Sequence, residues 1–217
     1  CEMMYSWFSP KGGQIVDPFA GGCTRGVVAS ILGRHYWGCD LNRDQVRNNR
    51  DHHVTLPENA PPPVWVIGDS LEELTNSPAA DFLFTCPPYG DLERYTDDPR
   101  DISTMEYHTF VAAYGRIIMR AVGRLKEDRF AAIVVGDFRD VRRGFLRDFV
   151  SATIAAFTSN GCHLYNEMIL ATPLGSAPMR VEAQFVATRK AAKVHQNVLI
   201  FCKGSPKRAT EALNATS

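Results

Sequence analysis

No run of the sequence approaches the roughly 20 consecutive apolar residues that a membrane-spanning helix requires, so no membrane partner is expected. The N-terminus also lacks the basic-then-apolar profile of a signal peptide. The six cysteines (Cys1, Cys23, Cys39, Cys86, Cys162, Cys202) are scattered, with no C-x-x-C pair and no Cys/His cluster at ligand spacing. Reduced thiols are therefore expected, no metal site is expected, and the cytoplasm is the default compartment. Charge of one sign is missing as well: 24 Lys and Arg balance 24 Asp and Glu. Any affinity for nucleic acid must then come from local clusters of cations rather than from a global field. Repeats and low-complexity segments are absent, and 217 residues suffice for one sizeable core, so residues 1–217 read as a single domain. The chain begins with Cys1 rather than Met, and Cys1 to Phe8 reads as the tail of a helix, so a preceding segment is expected to be missing.

What is present is an alternation of strand-like and helical patterns, the signature of an α/β fold with a mostly parallel sheet and helices on both faces. Strands are expected at Gln14 to Asp17, His35 to Asp40, Val64 to Ile67, Phe82 to Thr85, Phe130 to Val135, Leu164 to Leu170 and Gln196 to Cys202. Helical patterns lie at Thr24 to Leu32, Arg43 to His53, Leu71 to Leu74, Ser103 to Leu125 (capped by Ser103 or Thr104) and Phe145 to Phe157. Leu56 to Pro63, with four prolines, reads as a surface loop. Asp91 to Asp101 is acidic and turn-rich and is expected to lie over the site. Residues 172–194 form a long connection of mixed character, a length usually reserved for function.

Chemistry concentrates at the ends of the first four strands. The first ends in Asp17-Pro18-Phe19-Ala20-Gly21-Gly22, a carboxylate followed by small residues at the rim where ligands bind in parallel sheets. Asp40-Leu41 ends the second, about twenty residues beyond the glycine turn, where a carboxylate can accept from both hydroxyls of a ribose. Asp69-Ser70 ends the third, where Asp69 is equally a helix cap. The turn has neither G-x-G-x-x-G nor Gly-Lys-Ser/Thr, so phosphate is not the expected ligand. A ribose-bearing cofactor without phosphates fits better, and S-adenosylmethionine is the common one. The fourth strand ends in Cys86-Pro87-Pro88-Tyr89. Two prolines remove two backbone donors and fix two φ angles, leaving carbonyls free to accept hydrogen bonds beside an aromatic face, an arrangement suited to a planar amine. On its own Pro-Pro-Tyr is equally a strand-ending turn with a packed tyrosine.

With these pieces in order, Asp17-Pro18-Phe19-Ala20-Gly21 and Cys86-Pro87-Pro88-Tyr89 resemble the cofactor and catalytic motifs of the amino-group DNA methyltransferases, the N4-cytosine and N6-adenine enzymes. Thr104-Met105-Glu106-Tyr107-His108, Val135-Gly136-Asp137-Phe138-Arg139 and His195-Gln196-Asn197-Val198-Leu199 look like the small DNA methylases of bacteriophages. The resemblance spans essentially the whole chain. It implies a Rossmann-like, S-adenosylmethionine-dependent methyltransferase fold with a mostly parallel seven-stranded sheet, acting on DNA in a bacterial or phage-infected cell, as in restriction–modification. By the same resemblance the catalytic residues are Cys86, Pro87, Pro88 and Tyr89, and the cofactor residues are Asp17, Pro18, Phe19, Ala20, Gly21, Gly22, Asp40, Leu41, Asp69 and Ser70. Two positions depart from the pattern. Cys86 replaces the usual Asp, Asn or Ser and is a weaker acceptor; Cys23 stands where a further glycine is common. The cofactor segment that precedes the first strand in such relatives is absent here or reduced to Tyr5, Trp7 and Phe8.

An exocyclic amine is a poor nucleophile, and hydrogen bonds to the Cys86 side chain and the Pro87 carbonyl would localise its lone pair, with Tyr89 stacking on an extruded base. For DNA contact the candidates are Arg180, Arg189, Lys190 and Lys193, opposed only by Glu182, and a second cluster of Arg139, Arg142 and Arg143, which equally reads as the start of a helix. The loop with Asp91, Glu93, Arg94 and Tyr95 adjoins the corner and is placed to close over the base. His52 and His53 read as solvated, and His195 as a strand start. Two other readings stay open: the same fold acting on RNA or on a protein glutamine, and a DNA- or cofactor-binding module weakened by Cys86. Cytosine against adenine, and monomer against homodimer, are also left open.

Overall fold

In a computed structural model, which describes residues 1–52, 54–171 and 177–215, the backbone resolves into one seven-stranded sheet flanked by helices. Its strands are β1 (Gln14–Asp17), β2 (His35–Asp40), β3 (Val64–Ile67), β4 (Ala80–Thr85), β5 (Leu125–Val135), β8 (Cys162–Ala171) and β9 (His195–Lys203), in the order β3-β2-β1-β4-β5-β9-β8. The first five run parallel, and β9 pairs antiparallel with both β5 and β8. Strands β6 (Phe138–Arg139) and β7 (Leu146–Arg147) form a separate hairpin. The carboxyl ends of β1, β2, β3 and β4 therefore share one rim, and the chain order reverses between β1 and β4, where parallel sheets form a ligand crevice.

Strand β4 is central and buried throughout, so it reads as an unbroken apolar run rather than an alternating one. Its side chains still divide by parity. Leu83 joins a core with Phe110 and Tyr114 of α5 (Tyr107–Arg124) and Phe149 and Phe157 of α6 (Phe149–Thr158). Phe82 and Phe84 face the opposite core, with Tyr5 and Phe8 of α1 (Glu2–Phe8), Ala29 of α2 (Thr24–Ile31), Val46 of α3 (Arg43–Asp51) and Ala209 of α8 (Pro206–Asn214). Local signals place the helix starts near the rim. Asn42 caps α3 by accepting from the amides of Asp44 and Gln45, and Asp69 caps α4 (Ser70–Glu73) by accepting from that of Leu71.

Several boundaries differ from the sequence reading. Helix α5 begins at Tyr107; Ser103 and Thr104 lie in a 3₁₀ turn, Ile102–Thr104, whose start Asp101 caps. The pattern from Phe145 begins as a helix only at Phe149, because Arg139 to Arg147 is folded into the β6–β7 hairpin, so Arg139, Arg142 and Arg143 are not a helix start. Within residues 172–194, α7 (Ala177–Thr188) replaces the expected loop; residues 172–176 and the side chain of Arg180 lie outside the described residues, as does His53. Helix α8 was not expected at all. Its start is nonetheless local, with Ser205 capping and Pro206 in the first turn. All six cysteines are free thiols.

Candidate active site

The rim of the sheet opens into a cavity of about 350 Å³, walled from β1 by Pro18, Phe19, Gly21 and Gly22, from β2 by Asp40 and Leu41, from β3 by Asp69 and Ser70, and from β4 by Cys86 and Pro88. Cys86 and Pro88 of the double-proline corner thus share one chamber with Asp40 and Asp69.

The turn after β1 is built by hydrogen bonds that take it out of any register. Gly21 adopts φ +52°, which a side chain resists, and its amide donates to Asp40 Oδ2 at 2.7 Å. Asp40 Oδ1 accepts from the amide of Asn42 at 2.8 Å, so each oxygen of this carboxylate keeps a lone pair for a ligand. Burial raises the Asp40 pKa above the ordinary carboxylate value, and the Asn42 and Gly21 amides oppose that shift. Asp69 uses Oδ1 on the amide of Leu71 at 2.9 Å and still faces the cavity, so it is both helix cap and wall. The Ser70 hydroxyl donates to the Pro18 carbonyl, tying the third strand end to the first.

Asp17 does not line the cavity. It is fully buried and serves as the hub beneath it, with Oδ1 accepting from Thr85 Oγ1 (2.6 Å) and the Phe19 amide (3.1 Å), and Oδ2 accepting from Arg25 Nε (2.6 Å) and Tyr36 (2.8 Å). The sequence reading of Asp17 as a cofactor contact is corrected to this supporting role: a carboxylate that must satisfy four donors in the interior has no face left for a ligand. Ala20 is likewise buried, its amide donating to the Cys39 carbonyl. Pro87 and Tyr89 are also off the cavity wall. The Tyr89 ring packs edge-on against Phe138 and Phe149, and its phenol accepts from the Gln196 side-chain amide; burial, with Cys86 beside it, pushes the phenol up to about 12.

Arg25 is the residue the sequence reading missed. Besides Asp17 it reaches the carbonyls of Phe19 (2.6 Å) and Ala20 (2.9 Å), so one guanidinium clamps the whole turn while lining the cavity. Its position, the single charge in the otherwise uncharged helix Thr24–Ile31, was the available signal. Burial works against the Arg25 charge, and Asp17 together with Tyr36 and Cys86 outweighs it, so the cation is held more firmly than in water. Burial likewise raises the Cys86 thiol above its ordinary value, with Arg25 opposing, so Cys86 is a neutral thiol at neutral pH.

The loop after the corner closes over the chamber as expected: Tyr95, Thr96, Arg100 and Asp101 line it, and Asn42 Nδ2 donates to the Tyr95 carbonyl at 3.2 Å. Tyr5, Trp7 and Phe8 do not reach the cavity. Tyr5 and Phe8 pack under β4 and β5, and Trp7 is 52% exposed, so of the two alternatives these residues do not supply a reduced cofactor segment at the cavity. Among the described residues, no group of three or more His, Cys, Asp or Glu is placed to hold a metal, and no helix is long and apolar enough to cross a membrane.

The chain matches no protein-family model and no curated protein sequence. Its backbone, however, superposes on many solved structures. TrmN from Thermus thermophilus aligns over 89% of this chain at TM-score 0.55 and 16% identity; this chain spans 45% of that protein's length. An S-adenosylmethionine-dependent methyltransferase from Methanosarcina mazei aligns over 93% of this chain and 97% of its own, at TM-score 0.60 and 12% identity. The magnesium protoporphyrin IX methyltransferase of Synechocystis, solved with bound cofactor, covers 90% of this chain and 71% of its own, at TM-score 0.55 and 10% identity. A seven-stranded sheet of this order, with its crevice at the β1/β4 reversal, has the Rossmann-like fold of the S-adenosylmethionine-dependent methyltransferases.

Proposed function

We infer that this protein binds S-adenosylmethionine and transfers its methyl group to the exocyclic amine of a base in DNA, N4 of cytosine or N6 of adenine. The observation that carries this reading is that Cys86 and Pro88 wall the same cavity as Gly21, Asp40 and Asp69. The wall fits a nucleoside-bearing cofactor: a glycine whose backbone approaches closely, carboxylates with unused lone pairs, and the apolar surfaces of Phe19, Ile102 and Ile117. When bound, the cofactor supplies an electrophilic methyl group on a sulfonium.

The residues of the chain do the rest. Asp40 accepts from the ribose hydroxyls with the lone pairs that Gly21 and Asn42 leave free. The neutral Cys86 sulfur on the cavity wall accepts from the amine, drawing its lone pair out of conjugation and toward the methyl, while Pro87, buried behind the wall, fixes the shape of the corner. The neutral Cys86 thiol is no base, so the proton that the methylated nitrogen gives up passes to water. Tyr89, packed against Phe138 and Phe149 behind the wall, holds the corner in place beside the base. Arg189, Lys190 and Lys193 supply phosphate contacts beside the last strand.

The test is methyl transfer from labelled cofactor to DNA, RNA and protein, with mass spectrometry of digested DNA for N4-methylcytosine and N6-methyladenine. Label in DNA is expected. Asp40→Ala should abolish the rise in thermal stability that saturating cofactor produces, on the order of 3 kcal/mol at a hundredfold excess over Kd. Cys86→Ala should keep that rise and lose transfer by about a hundredfold. Label confined to RNA or to a protein glutamine would move the acceptor; a cofactor-induced rise without label on any acceptor would leave a binding module.

A further inference from the structure

A second cleft, of about 670 Å³, lies beyond the catalytic corner, between the β6–β7 hairpin and the stretch leading into β9, with Phe138, Arg139, Leu146, Lys193 and His195 among its walls. The hairpin has an unusual surface. Its loop, Asp140 to Phe145, exposes two apolar side chains almost fully, Val141 and Phe145 at 74% each, with Leu146 at 55%. Exposed apolar groups gathered at one loop tip mark an interaction surface. These sit among Arg139, Arg142 and Arg143, and the Lys190 ammonium approaches the turn at Gly144.

The loop is also built to hold its shape. Asp140 Oδ1 accepts from the amides of Arg142 (2.9 Å) and Arg143 (2.8 Å), Oδ2 accepts from Arg147 (3.1 Å), and the Asp140 amide donates to the Phe145 carbonyl at 2.9 Å. The one acid of the hairpin is thereby consumed inside it, leaving Arg142 and Arg143 exposed, while Arg139 donates to the Gly144 carbonyl at 3.0 Å. Asp137, at the cleft, is turned inward to the amide of Val150 (2.9 Å). The base of the hairpin is fixed to the catalytic corner: Phe138 packs edge-on against Tyr89, and the Arg147 guanidinium lies 4.8 Å over the Tyr107 ring and 5.5 Å over that of Phe138.

A rigid apolar tip ringed by arginines and anchored to the base-binding corner matches the chemistry of a wedge that enters a duplex between base steps while cations hold the flanking phosphates. We propose that the β6–β7 hairpin inserts Phe145 into double-stranded DNA and holds open the space vacated by the extruded base. The charge around the tip favours DNA over a protein partner or a second copy of the chain. The inference rests on DNA being the acceptor.

Two measurements on the full chain test it. In the first, a closed circular plasmid is relaxed by topoisomerase in the presence of protein, which reads insertion between base pairs without needing a target sequence or turnover. Wild type and Phe145→Leu should shift the topoisomer distribution; Phe145→Ala should bind a labelled 30-bp duplex within about tenfold of wild type yet give no shift. In the second, methyl transfer to native plasmid DNA should fall at least about tenfold in Phe145→Ala, while transfer to the same DNA heat-denatured stays within about twofold, because a single strand needs no wedge. Binding without unwinding by wild type, unwinding by Phe145→Ala equal to wild type, or equal loss on native and denatured DNA each overturns the wedge. So does a wild-type dimer that Phe145→Ala dissociates, which would make the tip a self-association surface. Unwinding without methyl transfer would keep the wedge and sink the enzyme, whereas transfer without unwinding would do the reverse.

Discussion

Arg25 and Asp17 form a pair whose side chains are 18% and 0% exposed, and their value lies in what each would leave behind. A buried ion pair adds little over an apolar pair of the same shape, but removing one partner strands the other charge in the interior. Arg25→Met should therefore lower stability by about 3–5 kcal/mol in urea unfolding. Adding Asp17→Asn should recover part of the loss rather than double it, since the two share one network. The sequence made Asp17 visible through its motif but could not show which way it points. A strand-end carboxylate faces a ligand or the protein depending on the donors that converge on it, and Thr85, Tyr36 and Arg25 come from three other elements. Asp40 and Asp69, whose partners are backbone amides alone, keep a face to the rim.

Among the elements, α2 shows how close packing sets the rim. Gly26 lies so near β3 that a Cβ there would stand 2.5 Å from both Cη2 and Cζ2 of Trp65, a ring that is 5% exposed and has nowhere to go. Gly26→Ala gains about 1 kcal/mol in helix propensity. Overpacking a fixed indole costs about 1–3 kcal/mol and should win; thermal unfolding should register a net loss. The strands β1, β2 and β3 were legible to the residue because short β-rich runs bounded by glycine, proline and aspartate carry their own limits. The β6–β7 hairpin was not. Its two-residue strands are too short to carry a period, and the apolar residues from Phe145 onward carry a helical spacing although Leu146–Arg147 pair with β6 and the helix begins only at Phe149.

At the scale of the molecule, Asp81 staples the far edge of the sheet. It accepts from the Gln14 amide of β1 (3.0 Å) and from Lys126 (2.9 Å) and Arg129 (3.2 Å) of β5. Burial alone would raise its pKa, but Lys126, the Gln14 amide and Arg129 together hold it below the ordinary value of 3.8. A carboxylate with a depressed folded pKa adds stability above its unfolded value and loses it as the pH falls through the folded one. Asp81→Asn should therefore cost about 1–3 kcal/mol at pH 7, and the gap to wild type should close in acid below the ordinary carboxylate range, as followed by urea unfolding across pH.

The sequence by itself determined the seven strands of the main sheet, the helices α2 to α6 in outline, the α/β class, and the two motifs that end β1 and β4, because turn residues, caps and β-rich runs act within a few residues of themselves. Only the tertiary structure decided that the motif ends share one cavity, that Asp17 turns inward to Arg25, and that Tyr89 leans on Phe138 at the foot of an arginine-rimmed hairpin. Those outcomes depend on groups far apart in the chain meeting at one rim, and the direction a side chain takes there is set by the donors and rings it meets.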